Sequence, residues 1–426
     1  MNYDIKKMGL DAYKLLEEIS FNRMGGTDDE LKAANIIIDK AKDLGLEAYL
    51  EPFKIEVGKV NLAKLEVLEP VYKEYVVAGF GLSGETGEEG IEAEFLYGED
   101  GIETNLWDAE GKIVLINGAA GSMPVKAYEN LIKAKAKAFI ATSGDIYEKV
   151  EESDLIAWDL RPRHLKYGSL PGVAIRPIDA QELVLSKPTK VRLTLLEEKV
   201  ELTSNNVICE IKGKKYPEQY IAVTAHYDSV IYSSGAYDNG TGSVTIFELM
   251  KYFANNRPDR SLKFIWCGSE ELGLLGSKDF CEKHKEDLDK YLFCINFDMT
   301  GVVLGKEIAV CTSEDKLVGY VEYLAKEVGF PLICRQGVYS SDSTPFADAG
   351  VPGMSFARIS PQGGAVIHSR KDVIDYLEPI NYYRTCDFMA FFAKRLISSV
   401  VFPVEKEIPA NMKEEIEYYF GRKERQ

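Results

Sequence analysis

The sequence predicts an α/β protein: a doubly wound mixed sheet with helices on both faces, interrupted by a smaller, β-rich α/β domain inserted into it. Three observations predict it. From residue 201 onward, apolar runs of strand length alternate with helix-length amphipathic segments, the pattern of buried strands joined by helices. Between residues 60 and 200 the texture changes to short β-type runs broken by one long helical segment. In the later part, His, Asp and Glu stand directly after apolar runs, at the carboxyl ends of strands where such sheets build their sites.

The chain has 426 residues, more than a single core usually holds, so two or three domains are expected. Its composition, 46% hydrophobic and 28% charged, is that of an ordinary globular protein. The net charge is −17 with Lys and Arg thinly spread, which argues against a nucleic-acid partner. Seven cysteines lie without CxxC spacing, several in apolar runs such as FIWCG and YLFCINF. They read as buried thiols in a reducing compartment, not as a disulfide framework. No run approaches the ~18 apolar residues of a membrane span, and MNYDIKKMGLDAYKLLEEI lacks a signal-peptide core. The expectation is a cytoplasmic protein, monomer or homodimer, with no membrane partner.

Taken in order, residues 9–20 and 29–45 predict helices. In the second, Leu31, Ala34, Ile37, Ile38, Ala41 and Leu44 follow the helical period. Thr27-Asp28 can cap its start and Gly45 end it, with Gly25-Gly26 a turn before it. Residues 46–57 predict a strand. The runs KLEVLE, EYVVAGFGL, GIEAEFLYG, GKIVLING, AKAFIATSG, GVAIRP and VRLTLLEE then predict strands, with a helix over 124–138. The domain boundaries expected are 1–60 with 200–426 for the main domain, and 61–199 for the insert. His164, in RPRHLKYG, reads as a polar-loop residue. Beyond 201, NNVICEIKG, QYIAVTAHYD, SLKFIWCG, YLFCINFDM, EIAVCT and VPGMSFARI are strands with helices between most of them. After Pro403 and Pro409 comes an amphipathic terminal helix.

The chemistry lies in AHYDS (225–229), GAYDNGTG (235–242), GSEELGLLGS (268–277), NFDMTG (296–301) and the later His368. His226, Asp238, Glu271, Asp298 and His368 combine imidazole with carboxylate, a donor set suited to zinc, manganese or cobalt. Two metal ions need a bridging carboxylate. Asp238 is the natural bridge, with Gly240 and Gly242 turning the chain tightly into the next helix. Glu270 and Glu271, as neighbours on an extended backbone, point to opposite sides. One can bind metal while the other stands beside the activated water. Glu271 is assigned as ligand and Glu270 as general base, then general acid. Asp228 can accept the second N–H of His226 and fix its tautomer. Singly these are weak signals: a Glu-Glu pair is usually a solvated loop, DNGTG a turn, a histidine a satisfied polar core group. The ordered set at strand ends, using two of four histidines, is what points to a site. His284, in CEKHKEDLDK, reads as a surface residue, and Cys267 as a buried structural thiol.

These motifs, with SSDSTPFADAGVP and IHSRKD, closely resemble the M28 family of metallopeptidases, co-catalytic zinc aminopeptidases and relatives, over roughly residues 10–55 and 204–400. The segment between resembles a protease-associated domain, which implies a lid or partner surface. The resemblance implies that His226 and Asp298 bind one metal, Glu271 and His368 the other, and that Asp238 bridges them. It implies Glu270 as the catalytic carboxylate and a strained Asp238–Asn239 peptide bond. It implies zinc-dependent removal of N-terminal residues from peptides, the free amine resting near Glu270 and Asp298. Two departures stand out. Ile367 occupies the place where some members carry a carbonyl-polarising tyrosine, for which Tyr232, Tyr237 or Tyr339 could substitute, unless the metal alone suffices. Ser341-Asp342-Ser343 replaces the SDH of many members, near Phe346. The loops 339–346 and 356–364 are expected to line the substrate pocket. Competing readings are an M20-like metallo-carboxypeptidase or deacylase, a non-catalytic scaffold, and a single-zinc cyclase-like enzyme. The first is disfavoured because only 70 residues separate Asp298 from His368, too few for that group's inserted domain.

Overall fold

A computed structural model describes residues 5–118, 121–147, 149–151 and 154–423. They fall into two compact units, Met1–Ile55 with Thr203–Gln426, and Glu56–Leu202. Both changes of unit occur inside long strands, β1 (Ala48–Glu69) and β2 (Lys190–Ile211).

In the larger unit the sheet is completed by β3 (Tyr216–His226), β4 (Arg260–Cys267), β5 (Tyr291–Phe297), β6 (Lys306–Cys311), β7 (Leu332–Gln336) and β8 (Gly353–Ile359). Their order is β7-β6-β8-β5-β3-β4-β2. The β5–β3–β4 centre is parallel, as are β5–β8 and β6–β7, while β6–β8 and β4–β2 are antiparallel. This is a mixed, doubly wound sheet. The helices in chain order are α1 (Ile5–Ile19), α2 (Asp28–Asp43), α3 (Thr241–Asn255), α4 (Leu275–Lys283), α5 (Asp315–Val328), α6 (Ser343–Asp348), α7 (Pro379–Ile397) and α8 (Ala410–Tyr419).

Period-2 alternation sorts these helices onto two faces. Along β3, Ile221, Val223 and Ala225 enter one core, shared with α1, α2, α3, α5 and α7. Tyr220 and Ala222 enter a second, shared with α4 and α6. There the tilted rings of Phe280 and Phe346 meet at 5.6 Å between ring centres. Phe346 is therefore fully buried core, not the pocket wall that the sequence suggested. In α2 the buried stripe is Ala33, Ala34, Ile37, Ile38 and Ala41. Each such isoleucine contributes roughly 1.5–3 kcal/mol by leaving water. Thr27 caps the helix by accepting the Glu30 N–H, and Gly45 leaves it at φ +73°.

The smaller unit holds a five-stranded sheet ordered Val77–Gly79, Gly172–Ile175, Ala138–Thr142, Ile113–Ile116 and Phe95–Tyr97, parallel except at the first pair. The helix expected over 124–138 is shorter than the periodicity predicts, Val125–Lys133, because Lys135 takes φ +57° and the next strand begins at Ala138, and two helices not anticipated, Pro162–Leu165 and Pro177–Leu185, join it. His164 is not in a polar loop. It is buried, its Nδ1 accepting the Arg161 N–H (3.1 Å) and its Nε2 lying 2.9 Å from the Met123 carbonyl oxygen. Nor is His284 a plain surface residue: it is half-buried beside Phe280 and meets Glu51 at 2.8 Å. Runs of charge hid both packing partners. All seven cysteines are buried and free, Cys267 among them. Among the described residues no helix is long and apolar enough to cross a membrane.

One core position carries a titration. Glu248 on α3 is fully buried with no hydrogen bond to either oxygen among the described residues, and its nearest cation, Lys251, is 4.0 Å away. Burial pushes its carboxyl up to about 7, the remaining influences being Lys251 and Asp11. A pKa raised on folding gives stability that is complete below the unfolded value, near 4.5, and declines as pH rises toward 7. Glu248→Gln should match the parent's Tm at pH 5 and exceed it by about 3 °C at pH 8, read by thermal unfolding at both pH values.

Candidate metal centre

The parallel centre of the sheet delivers the candidate residues from separate strand ends. His226 is the last residue of β3, Asp298 follows β5, and Glu270 and Glu271 follow β4. Asp238 lies in the turn before α3, and His368 in the loop after β8, at φ +58°. Asp238 brings them together. Its Oδ1 is 3.2 Å from His226 Nε2 and its Oδ2 is 3.1 Å from His368 Nε2. Asp298 Oδ1 stands 3.7 Å from His226 Nε2, and Glu271 Oε2 stands 3.2 Å from His368 Nε2. Two groups of possible ligand atoms result, His226–Asp238–Asp298 and Asp238–Glu271–His368, each within 4.8 Å and sharing Asp238.

These residues fit a pair of divalent cations. The donors are imidazole nitrogen and carboxylate oxygen, and Asp298 Oδ1 is buried without a hydrogen-bond donor among the described residues. The protonation pattern agrees. Burial opposes charge on His226, yet Glu270 and its other carboxylate neighbours hold its pKa well above the usual histidine range. His368 is likewise pushed up to about 11 against its burial, chiefly by Glu271 and Asp238. Protons occupy the positions where positive charge is wanted. Burial, reinforced by neighbouring carboxylates, raises Glu270 well above the usual range, and Glu271 and Asp298 are also raised.

The two glutamates are separated, but not by strand alternation. Ser269 is left-handed at φ +51°, and the chain turns at once, Gly273 and Leu274 both donating to the Glu270 carbonyl (2.7 Å each). Glu271 turns toward His368, while Glu270 Oε2 lies 3.9 Å from His226. Asp228 does more than face His226 Nδ1 at 3.4 Å. Its Oδ1 accepts the Glu270 N–H (3.0 Å) and its Oδ2 the Glu271 N–H (3.2 Å).

Three supporting residues escape sequence reasoning. Asp372 accepts the N–H groups of Tyr237 (2.7 Å) and Asp238 (3.1 Å), and burial lifts it to about 7. Arg23 is fully buried and spends its guanidinium on carbonyls, including those of Tyr227, Ser234 and Gly235 (2.7 Å for the last). Burial lowers its pKa to about 10, with Asp372, Asp228, Asp238 and Glu271 nearby opposing. Glu30 is equally buried and reaches Ser269. Burial pushes it up to about 8, its hydrogen bonds pulling the other way. Arg23 and Glu30 lie far in sequence from the motifs they serve, and Asp372, which closes IHSRKD, lies far from the Tyr237–Asp238 backbone it holds. The Asp238–Asn239 peptide bond is cis. Of the tyrosines, Tyr237 is engaged, donating to the Arg358 carbonyl (2.7 Å), and Tyr232 is half exposed. Tyr339 is different: its hydroxyl is buried without a hydrogen-bond partner among the described residues, and Asp298, Asp238 and Glu270 bear on it electrostatically. Asp342, in the departure from SDH, is fully buried, which raises its carboxyl to about 6.

The profile of peptidase family M28 matches residues 206–393. Aminopeptidase YwaD of Bacillus subtilis strain 168 is 30% identical over 388 residues, spanning 86% of this chain and 80% of that protein. The chain belongs to peptidase family M28. Carboxypeptidase Q of Bos taurus is 26% identical over 372 residues, covering 84% of this chain and 78% of that one. The crystal structure of BSAP, a zinc aminopeptidase from Bacillus subtilis, superposes with a TM-score of 0.77 at 24% identity, covering 94% of this chain and 98% of that one. At that identity the likeness speaks for the fold.

Asp228 is the supporting group with most to lose, since it faces one candidate ligand and holds the backbone of another. Asp228→Ala should weaken divalent-cation binding about 10–100-fold. Competition against a chromophoric chelator checks this, and unchanged affinity would remove Asp228 from the centre.

Proposed function

We propose that this M28 peptidase is a di-metal aminopeptidase that hydrolyses the N-terminal peptide bond of peptides. The observation that carries the reading is the division of Asp238, one oxygen toward His226 and the other toward His368. A carboxylate so placed suits a bridge between two cations, with Asp298 completing one group and Glu271 the other. Zinc is the metal favoured by the donor set, with manganese and cobalt compatible. Divalent cations there would supply an activated water and polarise the scissile carbonyl.

The chain's own residues account for the remaining steps. Glu270, beside the site but outside both ligand groups, takes the proton of the attacking water and returns it to the leaving amine. Its environment suits a proton carrier, because burial and neighbouring carboxylates raise its affinity for the proton it takes from the water. The substrate's free α-ammonium finds counter-charge in Glu270 and Asp298. Tyr339 takes the place left empty by Ile367, its unengaged hydroxyl donating to the oxygen of the carbonyl under attack. The smaller unit is read as a protease-associated-like module that supplies none of these groups.

A second reading, removal of C-terminal residues, is favoured by one observation, the likeness to carboxypeptidase Q. Substrates separate the two. Peptides with a free amine and an amidated carboxyl end should be cleaved, and N-acetylated peptides with a free carboxylate should not; the reverse preference would establish carboxypeptidase activity instead. Glu270→Gln should retain metal and fold while kcat drops about 10²–10⁴-fold. Turnover near the parent's rate in that variant would remove Glu270 from the proton path.

A further inference from the structure

The turn that presents Glu270 is held from a segment that no motif assigns to the site. Glu30, in the first turn of α2, is fully buried. Its Oε2 accepts the Gly26 N–H at 2.7 Å, one residue before the N-cap amide that a capping box would take, and so still serves its own helix start. Its Oε1 has another task. It accepts the Ser204 hydroxyl at 2.7 Å and the Ser269 N–H at 3.2 Å, across 239 residues of sequence.

The fit around that contact leaves no room for other residues. A Cβ on Gly25 would lie 2.3 Å from Ser269 Oγ, and one on Gly268 would lie 2.8 Å from Glu30 Oε1 and 2.6 Å from Ser204 Oγ. The left-handed Ser269 turns successive N–H groups to one side, the arrangement that cradles an anion. Here two side-chain carboxylates fill the cradle. Glu30 takes the N–H of Ser269, and Asp228 takes those of Glu270 and Glu271. The helix start alone does not require this, because Thr27 Oγ1 already accepts the Glu30 N–H at 3.2 Å.

We propose that Glu30 is a positioning residue for hydrolysis, fixing the Ser269 peptide so that the following turn aims Glu270 at the reacting water. The inference rests on Glu270 as the proton carrier. A misplacement of about 1 Å in such a group costs on the order of 10²-fold in rate.

The test compares Glu30→Ala with Thr27→Ala, in the full chain reconstituted with zinc. Glu30→Ala should lower kcat about 10–100-fold with KM within about threefold and zinc content unchanged. Thr27→Ala, which loses the helix cap and the hydroxyl's bond to the Met24 carbonyl but no contact to Ser269, should lower Tm by a few degrees and keep kcat. Hydrogen exchange in the metal-free proteins should show residues 268–274 losing protection in Glu30→Ala alone. Should Glu30→Ala fail to fold, Ser204→Ala replaces it, with kcat expected to fall about 3–10-fold at unchanged KM. A kcat within twofold of the parent in the folded variant overturns the proposal. So does an equal loss in Thr27→Ala, or a loss accompanied by departure of zinc. Glu270→Gln run alongside keeps the failures apart: if it stays active, the assignment of the base has failed; if it is inactive while Glu30→Ala is not, the positioning role has failed.

Discussion

Asp238 gives one carboxylate oxygen to His226 and the other to His368, and much of the larger unit is arranged to keep it there. Around it, Glu270, Glu271 and Asp298 are buried with it, alongside Asp228. Buried carboxylates repel one another and resist desolvation, so such a cluster is stable only with positive charge inside it. The two histidines supply that charge by taking up protons, and Arg23 adds a fixed cation. A divalent cation held by these groups would answer the same electrostatic demand more strongly.

The second constraint is mechanical. Strands place their own last residues well, but loops do not, and most of the candidate residues are on loops. The structure compensates by gripping the backbone beside them. Asp372 holds the N–H groups of Tyr237 and Asp238, Asp228 those of Glu270 and Glu271, and Arg23 the carbonyls of Tyr227 and Gly235. The gripping groups are ionisable side chains and the gripped groups are peptide dipoles, so a bond made by the ionised form is of the stronger, charge-assisted kind. Burial away from competing water strengthens them further.

This division explains what could be read from the sequence. The sheet was legible because its strands are continuous apolar runs, and the ligand-bearing motifs because they follow those runs directly. The split of Glu270 from Glu271 was anticipated for a wrong reason: a left-handed serine and a tight turn separate them, not strand alternation. The gripping residues were not legible. Arg23, Glu30 and Asp372 look like ordinary charged residues in FNRMGG, TDDEL and SRKDV, and nothing local announces that they are buried. Gly25-Gly26 looked like a turn and is in part a clearance for Ser269. Tyr339 could be named as one of three candidates, but choosing it required knowing which hydroxyls already had partners.

The order of these pieces along the chain has a consequence for assembly. The ligand-bearing stretch from β3 to His368 follows the smaller unit in sequence, whereas Arg23 and Glu30 precede it. The turn before Glu270 and the loop before Asp238 therefore acquire the grips of Glu30 and Arg23 only when chain segments more than 200 residues apart have met, as the Arg23–Tyr227 and Glu30–Ser269 bonds require. Contacts of such separation carry a loop-closure cost that nearer contacts avoid. The helices α1 and α2 close the same separation to reach the core of the larger unit, so the site geometry is fixed no earlier than that core. A site assembled this way is ordered only in the complete native structure, so hydrolytic capacity arrives with the finished fold and not before it.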